Sequence, residues 1–117
     1  MKDELMQKLV ESPQACEKIL CALGLCARAR KLTVGASLTI TDCEKGKVKL
    51  AVLTRDVSDN TSEKLLRCFN KYSVPYIVLN SDSATLAAQL GKTGLVCAAS
   101  ICADGFDNIV YNALKNI

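Results

Sequence analysis

The sequence predicts an α/β protein: a three-layer α/β/α sandwich around a central mixed sheet of about four strands. Three observations carry that reading. Runs of strand-forming residues alternate four times with helix-patterned stretches, the order that places a sheet between layers of helices. Residues 50–54 form an unbroken Leu-Ala-Val-Leu-Thr run, as expected of a strand covered on both faces. Half of the 117 residues are hydrophobic, and a domain of this size buries roughly two-thirds of the surface its unfolded chain exposes. One compact domain over residues 12–117 follows.

The elements can be justified in order. Residues 1–11 are polar with apolar spots at Leu5, Met6, Leu9 and Val10, and read as an N-terminal extension, a short helix or a frayed end. Ser12-Pro13 is a helix start, a hydroxyl cap followed by proline in the first turn. Cys16, Ile19, Leu20, Leu23 and Ala27 then recur at helical spacing to about residue 29. Residues 32–34 read as a short strand ended by Gly35. A second helix runs over residues 36–44, closed by Gly46. After the 50–54 strand, Ser58 to Asn60 supply caps for a helix carrying Leu65, Phe69 and Tyr72. Residues 75–79 form the next strand. Ser81 to Ser83 turn the chain into a short helix with Leu86 and Leu90, and residues 95–101 make a last strand. Phe106, Ile109, Val110, Ala113, Leu114 and Ile117 stripe the final helix.

Composition narrows the chemistry. There is no histidine, so the usual general base near neutral pH is missing. No phosphate-binding glycine loop, dinucleotide turn or nucleophile elbow is present. Asp56 and Asp59 lie among Val57, Ser58 and Asn60, a pattern of helix caps rather than of paired catalytic carboxylates. Cys43 has only Lys45 beside it to activate a thiol. The chain reads as non-enzymatic. The seven cysteines include no C-x-x-C pair. On a helix, the five-residue spacing of Cys16, Cys21 and Cys26 rotates each thiol by roughly 140° beyond a full turn. Neither a metal nor another cofactor is implied; the thiols read as reduced, buried small hydrophobes in a cytoplasmic protein. No apolar run approaches the roughly 20 residues of a membrane span.

Net charge is +3, but residues 24–55 alone hold seven cations (Arg28, Arg30, Lys31, Lys45, Lys47, Lys49, Arg55) against Asp42 and Glu44. Such a local excess suits a phosphate-bearing partner as well as a solvated face. With two Phe, three Tyr and no Trp, and Phe69, Tyr72 and Phe106 on apolar stripes, a base-stacking platform is disfavoured.

Three stretches together resemble one family. Residues 23–35, Leu-Gly-Leu-Cys-Ala-Arg-Ala-Arg-Lys-Leu-Thr-Val-Gly, are similar to the L-G-L-A-x-R-A-G-K-L-x-x-G opening of YlxQ-like proteins. Residues 46–61 resemble the family's G-x-x-K-L-V-x-x-A-x-D-A-S-x-N-T segment. Val74-Pro75-Tyr76, Leu90-Gly91-Lys92 and Ala103-Asp104-Gly105-Phe106 complete the set, which covers about residues 19–112. These proteins are bacterial members of the ribosomal L7Ae/L30e superfamily.

The resemblance implies an α/β/α fold and binding of structured RNA, such as a kink-turn or ribosomal RNA, with possible ribosome association. It places RNA reading at the start of the second helix, in a pattern like G-x-[Asn/Lys]-[Glu/Gln]-x-x-Lys, helped by a loop before the last strand. The site residues carried over are Gly35, Ala36, Ser37, Leu38 and Thr41, the loop Lys92, Thr93, Gly94 and Leu95, and the cations Arg28, Arg30 and Lys31. A glycine admits close backbone approach, and free N–H groups at a helix start attract phosphate. This sequence departs from the pattern at three reading positions: Ser37 stands for Asn/Lys, Leu38 for Glu/Gln and Thr41 for Lys. Arg30 also replaces the glycine expected after the first helix, where a left-handed conformation is usual. Backbone-dominated, salt-dependent RNA binding is therefore expected. The competing reading is a protein-interaction module or homodimer on the same fold, with Leu38 and Ile40 extending an apolar surface.

Overall fold

The computed structural model describes residues 7–10, 13–103 and 105–115. Strand β1 (Gln7–Val10) precedes helix α1 (Pro13–Arg28). There follow β2 (Leu32–Val34), α2 (Ala36–Glu44), β3 (Leu50–Thr54), α3 (Asp59–Lys71), β4 (Tyr76–Leu79), α4 (Ser83–Gln89), β5 (Ala98–Ile101) and α5 (Phe106–Lys115). The sheet is mixed, in the order β1-β4-β3-β5-β2. Strands β1, β4 and β3 run parallel, while β5 is antiparallel to both β3 and β2.

The sheet has five strands rather than about four. Gln7–Val10, expected as a helix or frayed end, pairs in parallel with β4, Gln7 opposite Tyr76 and Val10 opposite Leu79. An edge strand of four residues is held by the backbone ladder of its neighbour, and such pairing leaves little mark on a side-chain pattern. Residues 1–6 of that extension lie outside the described residues. The last strand begins at Ala98, three residues later than expected, because residues 95–97 enter as a loop.

The side-chain alternation of β3 explains why its whole run is apolar. Leu50 and Val52 face one core with Ile77, Leu79 and Ile101, covered by Ile19 and Leu23 of α1, Leu86 of α4 and Val110 of α5. Ala51 and Leu53 face the other, with Ala98, covered by Cys43 of α2 and Leu65 and Phe69 of α3. Successive residues of a strand point to opposite faces, so a central strand between two helix layers needs apolar groups throughout. Phe69 stacks on Tyr76 at 5.4 Å between ring centroids. Tyr72, on the same stripe, is exposed at the end of α3, with the Lys71 ammonium 5.5 Å from its ring centroid.

Helix ends follow local chemistry. Ser58 caps α3, its Oγ accepting from the Thr61 N–H at 3.3 Å. Asp82 caps α4 and accepts from the Thr85 N–H at 2.7 Å. Three helices close with the same pair of crossing bonds. After α1, Arg30 N–H donates to Ala27 O at 3.0 Å and Lys31 N–H to Cys26 O at 2.9 Å. Gly46 and Lys47 do the same after α2, and Gly91 and Lys92 after α4. This closure requires a left-handed residue. Glycine supplies it at 46 and 91, but Arg30 is forced to φ 60°, as the missing glycine implies.

The described cysteines are all free. Cys26 and Cys43 are buried and Cys68, Cys97 and Cys102 half-buried, but Cys21 is exposed and is no part of the core. Burial pushes up the thiols of Cys26, Cys97 and Cys102. Burial and then the neighbouring Cys68 thiol push Cys43 to about 12. Cys16 lies on α1, but its side chain is outside the described set.

Candidate nucleic-acid interface

The sheet has two ends, and the candidate residues divide between them. At one end, strands β2, β3 and β4 each run directly into the start of a helix. Gly35 joins β2 to α2. Its N–H donates to Ala98 O at 2.9 Å and its carbonyl accepts from the Thr39 N–H at 3.0 Å. It adopts φ 111° and ψ 150°, a conformation that L residues with side chains rarely adopt. A Cβ at Gly35 would meet nothing within 4 Å, so the backbone here is open to an approaching group. No side chain caps α2. The N–H groups of Ala36, Ser37 and Leu38 make no hydrogen bond among the described residues. A helix start left this way carries about half a positive charge from aligned peptide dipoles and can receive a phosphate oxygen.

The side chains at this tip are neutral. Ser37 and Thr41 are exposed, and the Thr41 hydroxyl is turned back onto Ser37 O at 3.1 Å. Leu38 is 58% exposed. Ile40, expected beside it on the surface, is half-buried and packs into the core under α2, so it does not extend an apolar patch. The loop before β5 reaches the same end in part. Lys92 N–H closes α4 on Ala87 O at 2.8 Å, whereas the Val96 N–H bonds Ser83 O at 3.1 Å. Leu95, just before Val96, is 74% exposed. Thus Leu95 accompanies the α2 tip, while Lys92 stays near the far end of α4.

Arg55, counted in the sequence as one of seven cations but not placed at the site, leaves β3 at this end and donates from Nη1 to Asn80 Oδ1 at 2.9 Å. Beside it Asp56 organises the turn. Its carboxylate accepts from Thr54 Oγ1 at 2.7 Å, Ser83 Oγ at 2.8 Å and Ser83 N–H at 2.9 and 3.1 Å. The Thr54 hydroxyl first, then Ser83, hold this carboxyl below its ordinary range. Asp56 thus ties the end of β3 to the start of α4 rather than capping α3, where Ser58 takes that place.

Arg28, Arg30 and Lys31 do not flank the α2 tip. They stand at the start of β2, and Gly35 at its end; four extended residues separate Lys31 from Gly35 by roughly 13 Å. Lys31 lies instead where Leu32 pairs with Ile101. There Arg30, Lys31, Leu32, Thr33, Cys102 and Ala103 line a shallow groove of about 270 Å³. Asp42 on α2 is engaged behind it, accepting from Thr33 Oγ1 at 2.7 Å and from the Cys102 thiol at 3.5 Å. Among the described residues there is no cluster of side chains able to hold a metal ion.

A mixed sheet between two helix layers, with β2 delivering a glycine to an uncapped helix start, makes this an α/β/α sandwich domain. The chain belongs to the ribosomal protein L7Ae/L30e/S12e/Gadd45 family, which its residues 17–111 match. It is 38% identical over 92 residues to the RNA-binding protein YlxQ of Bacillus subtilis (strain 168), covering 79% of this chain and 90% of that one. It is 36% identical over 76 residues to the RNA-binding protein YlxQ of Enterococcus faecium, covering 65% of this chain and 73% of that one. A Bacillus halodurans protein of unknown function superposes with a TM-score of 0.74 at 28% identity, over 84% of this chain and 97% of the other. The Giardia lamblia 15.5kD RNA binding protein gives the same TM-score at 18% identity, over 92% and 91% of the two chains, and shares the fold. These relatives carry RNA-binding names rather than enzyme names, in keeping with the non-enzymatic reading of the sequence. Among the described residues no helix is long and apolar enough to cross a membrane.

Proposed function

We propose that this chain binds structured RNA, kink-turn-like or ribosomal, as a non-catalytic cytoplasmic protein associated with the ribosome, with its base reading weakened. The observation that supports this most directly is the α2 tip, which keeps an open glycine and free amides while exposing Leu38 where the family pattern carries a polar reader. The amides can still take a phosphate. Leu38 offers a base edge no hydrogen bond, and Thr41 Oγ1 is already committed to its own helix. Each good base contact is worth roughly 1–3 kcal/mol. Two lost contacts amount to about 2–6 kcal/mol, one to four decades of affinity. Binding then rests on backbone contacts and on the cations near β2, and weakens steeply with salt.

The test is a fluorescence anisotropy titration of a kink-turn RNA and a straight duplex of equal length, at 50 and 200 mM salt. Both are expected to bind at low salt, with little preference between them, and both to weaken by orders of magnitude at high salt. Absent binding at 50 mM, or affinity indifferent to salt, overturns the proposal. The second reading, a homodimer or protein-docking module, is favoured by the exposure of Leu38 and Leu95 at one end of the sheet. Light scattering that shows a stable dimer, in a preparation free of nucleic acid, would establish it.

A further inference from the structure

The cations that the sequence places between residues 24 and 55 are regrouped by the fold. Leu32 of β2 and Leu50 of β3 both pair with Ile101 of β5, from opposite sides. Lys31 and Lys49 therefore flank the end of β5, two strand spacings or about 10 Å apart. Helices α1 and α2 finish at this same end. They bring Arg28 and Arg30 from one side, and Lys45 and Lys47 from the turn after α2. All six side chains are exposed. Among the described residues, Arg28, Arg30, Lys31, Lys45 and Lys47 take part in no ion pair.

Helix ends attract cations on their own account, but that explanation is too small here. Each helix C-terminus carries about half a negative charge, so α1, α2, α3 and α4, which all finish at this end of the sheet, together present roughly two, against six cations. Among the described carboxylates, Asp42, which accepts from the neutral Thr33 hydroxyl and Cys102 thiol, and Glu44, exposed beside Lys45, offset two more charges and still leave an excess of cations. A second observation points the same way. The closure after α1 holds an arginine at φ 60° where the equivalent closures after α2 and α4 use glycine. Backbone strain of this kind clusters at ligand clamps and switch regions; Ser73 shares the conformation after α3 and serves as the control. Arg30 also lines the groove beside Lys31.

We infer that the end of the sheet formed by Arg28, Arg30, Lys31, Lys45, Lys47 and Lys49 is a second RNA contact face, which grips the phosphate backbone independently of the α2 tip. It rests on the RNA-binding reading of the chain. Roughly 13 Å of extended strand separates Lys31 from Gly35, more than the Debye length of about 8 Å at physiological ionic strength. The basic end therefore acts on phosphates placed against it rather than on an RNA element seated at the tip. The basic end then supplies most of the affinity for folded and straight RNA alike, and the tip adds little while its base readers are missing.

Two variants test this in the full-length chain, with circular dichroism confirming the fold. Lys45→Ala with Lys47→Ala removes two exposed cations. Arg30→Gly removes a third while relaxing the backbone. Each phosphate contact multiplies the loss of affinity between 50 and 200 mM salt by about threefold. The double variant is expected to lower the slope of log affinity against log salt by about two and to weaken straight-duplex binding about tenfold at 50 mM. Arg30→Gly is expected to lower the slope by about one while raising the melting temperature. Unchanged slope and affinity in both variants, with the unaltered protein still binding RNA, overturns the second face alone. No binding by the unaltered protein overturns the RNA reading and this inference with it.

Discussion

The two ends of strand β2 differ in kind. At Val34 the chain enters a helix start whose free amides are fixed by backbone geometry, surrounded by neutral side chains, with Leu38 and Leu95 exposed. At Leu32 it leaves a helix end crowded with exposed cations. The first end has shape and little charge; Arg55 there is accompanied by the carboxylates Asp56 and Asp82. The second has charge and a shallow groove of about 270 Å³. Fixed donors discriminate between ligand geometries, whereas mobile cations hold any polyanion at a strength set by salt. The comparison teaches that affinity and base reading need not share a surface on this fold.

The most forceful way to break that division is to restore reading at the tip. Leu38→Glu combined with Thr41→Lys returns the acidic acceptor and the lysine of the family pattern. Kink-turn affinity is expected to rise at least tenfold in anisotropy titrations, while straight-duplex affinity changes by far less. An equal gain for both RNAs would show that only the added lysine charge counts. No gain at all would mean that α2 does not face RNA.

How much of this was legible beforehand depends on whether neighbours in sequence are neighbours in space. Helix α2 falls over residues 36–44 and strand β3 over 50–54 as the sequence predicts, because hydrophobic pattern, Gly35 and Gly46 are local signals. The capping role of Ser58 was legible for the same reason, whereas the bond of Asp56 to the Ser83 N–H, 27 residues on, was not. Strand β1 was not, since Gln7 and Lys8 carry no strand pattern and pairing with β4 crosses some seventy residues. The site was half legible. Its motif marks the α2 tip, but reading Arg28 to Ser37 as one face overlooked that β2 is extended and carries its ends apart. Lys45, Lys47 and Lys49 could be counted as charge but not placed, because only the pairing of β2 and β3 with β5 brings them beside Lys31.

A smaller effect probes how the tip end is built. Asp56→Ala leaves the Ser83 N–H without its carboxylate and deprives the buried Thr54 hydroxyl of its 2.7 Å partner. A loss of about 1–2 kcal/mol in urea unfolding is expected at pH 7, by analogy with lost helix caps. The folded-state pKa of Asp56 is lowered, so its stabilisation is present above the ordinary carboxylate value of about 3.9. It is lost as pH falls through the folded value. The stability gap between Asp56→Ala and the unaltered protein should therefore hold at pH 7, begin to shrink below about pH 4 and close only once pH has fallen below the folded value. A gap undiminished between pH 7 and pH 3 would show that the carboxylate charge is irrelevant to the turn. The salt slope for RNA should not change, since Asp56 lies at the other end from the lysines.

The finest test compares two residues with the same backbone problem. Arg30 sits at φ 60° and Ser73 at φ 54°, each just after a helix. The Val74 N–H, donating to Phe69 O at 2.8 Å, shows a closure like that of Arg30 and Lys31. A left-handed L residue costs roughly 1–2 kcal/mol, partly offset by the 0.5–1 kcal/mol that glycine's freedom costs on folding. Arg30→Gly and Ser73→Gly should each stabilise the fold by about 0.5–1 kcal/mol, a rise of a few degrees in Tm for a domain near this size. The two should part company on RNA. Ser73 follows α3, carries no charge and does not line the groove, and its replacement should leave binding unchanged. Arg30 lines the groove, and its replacement should weaken binding as the protein becomes more stable. If both variants bind RNA like the unaltered chain, the arginine is a tolerated imperfection of the closure, and the basic end loses its strongest sign of function.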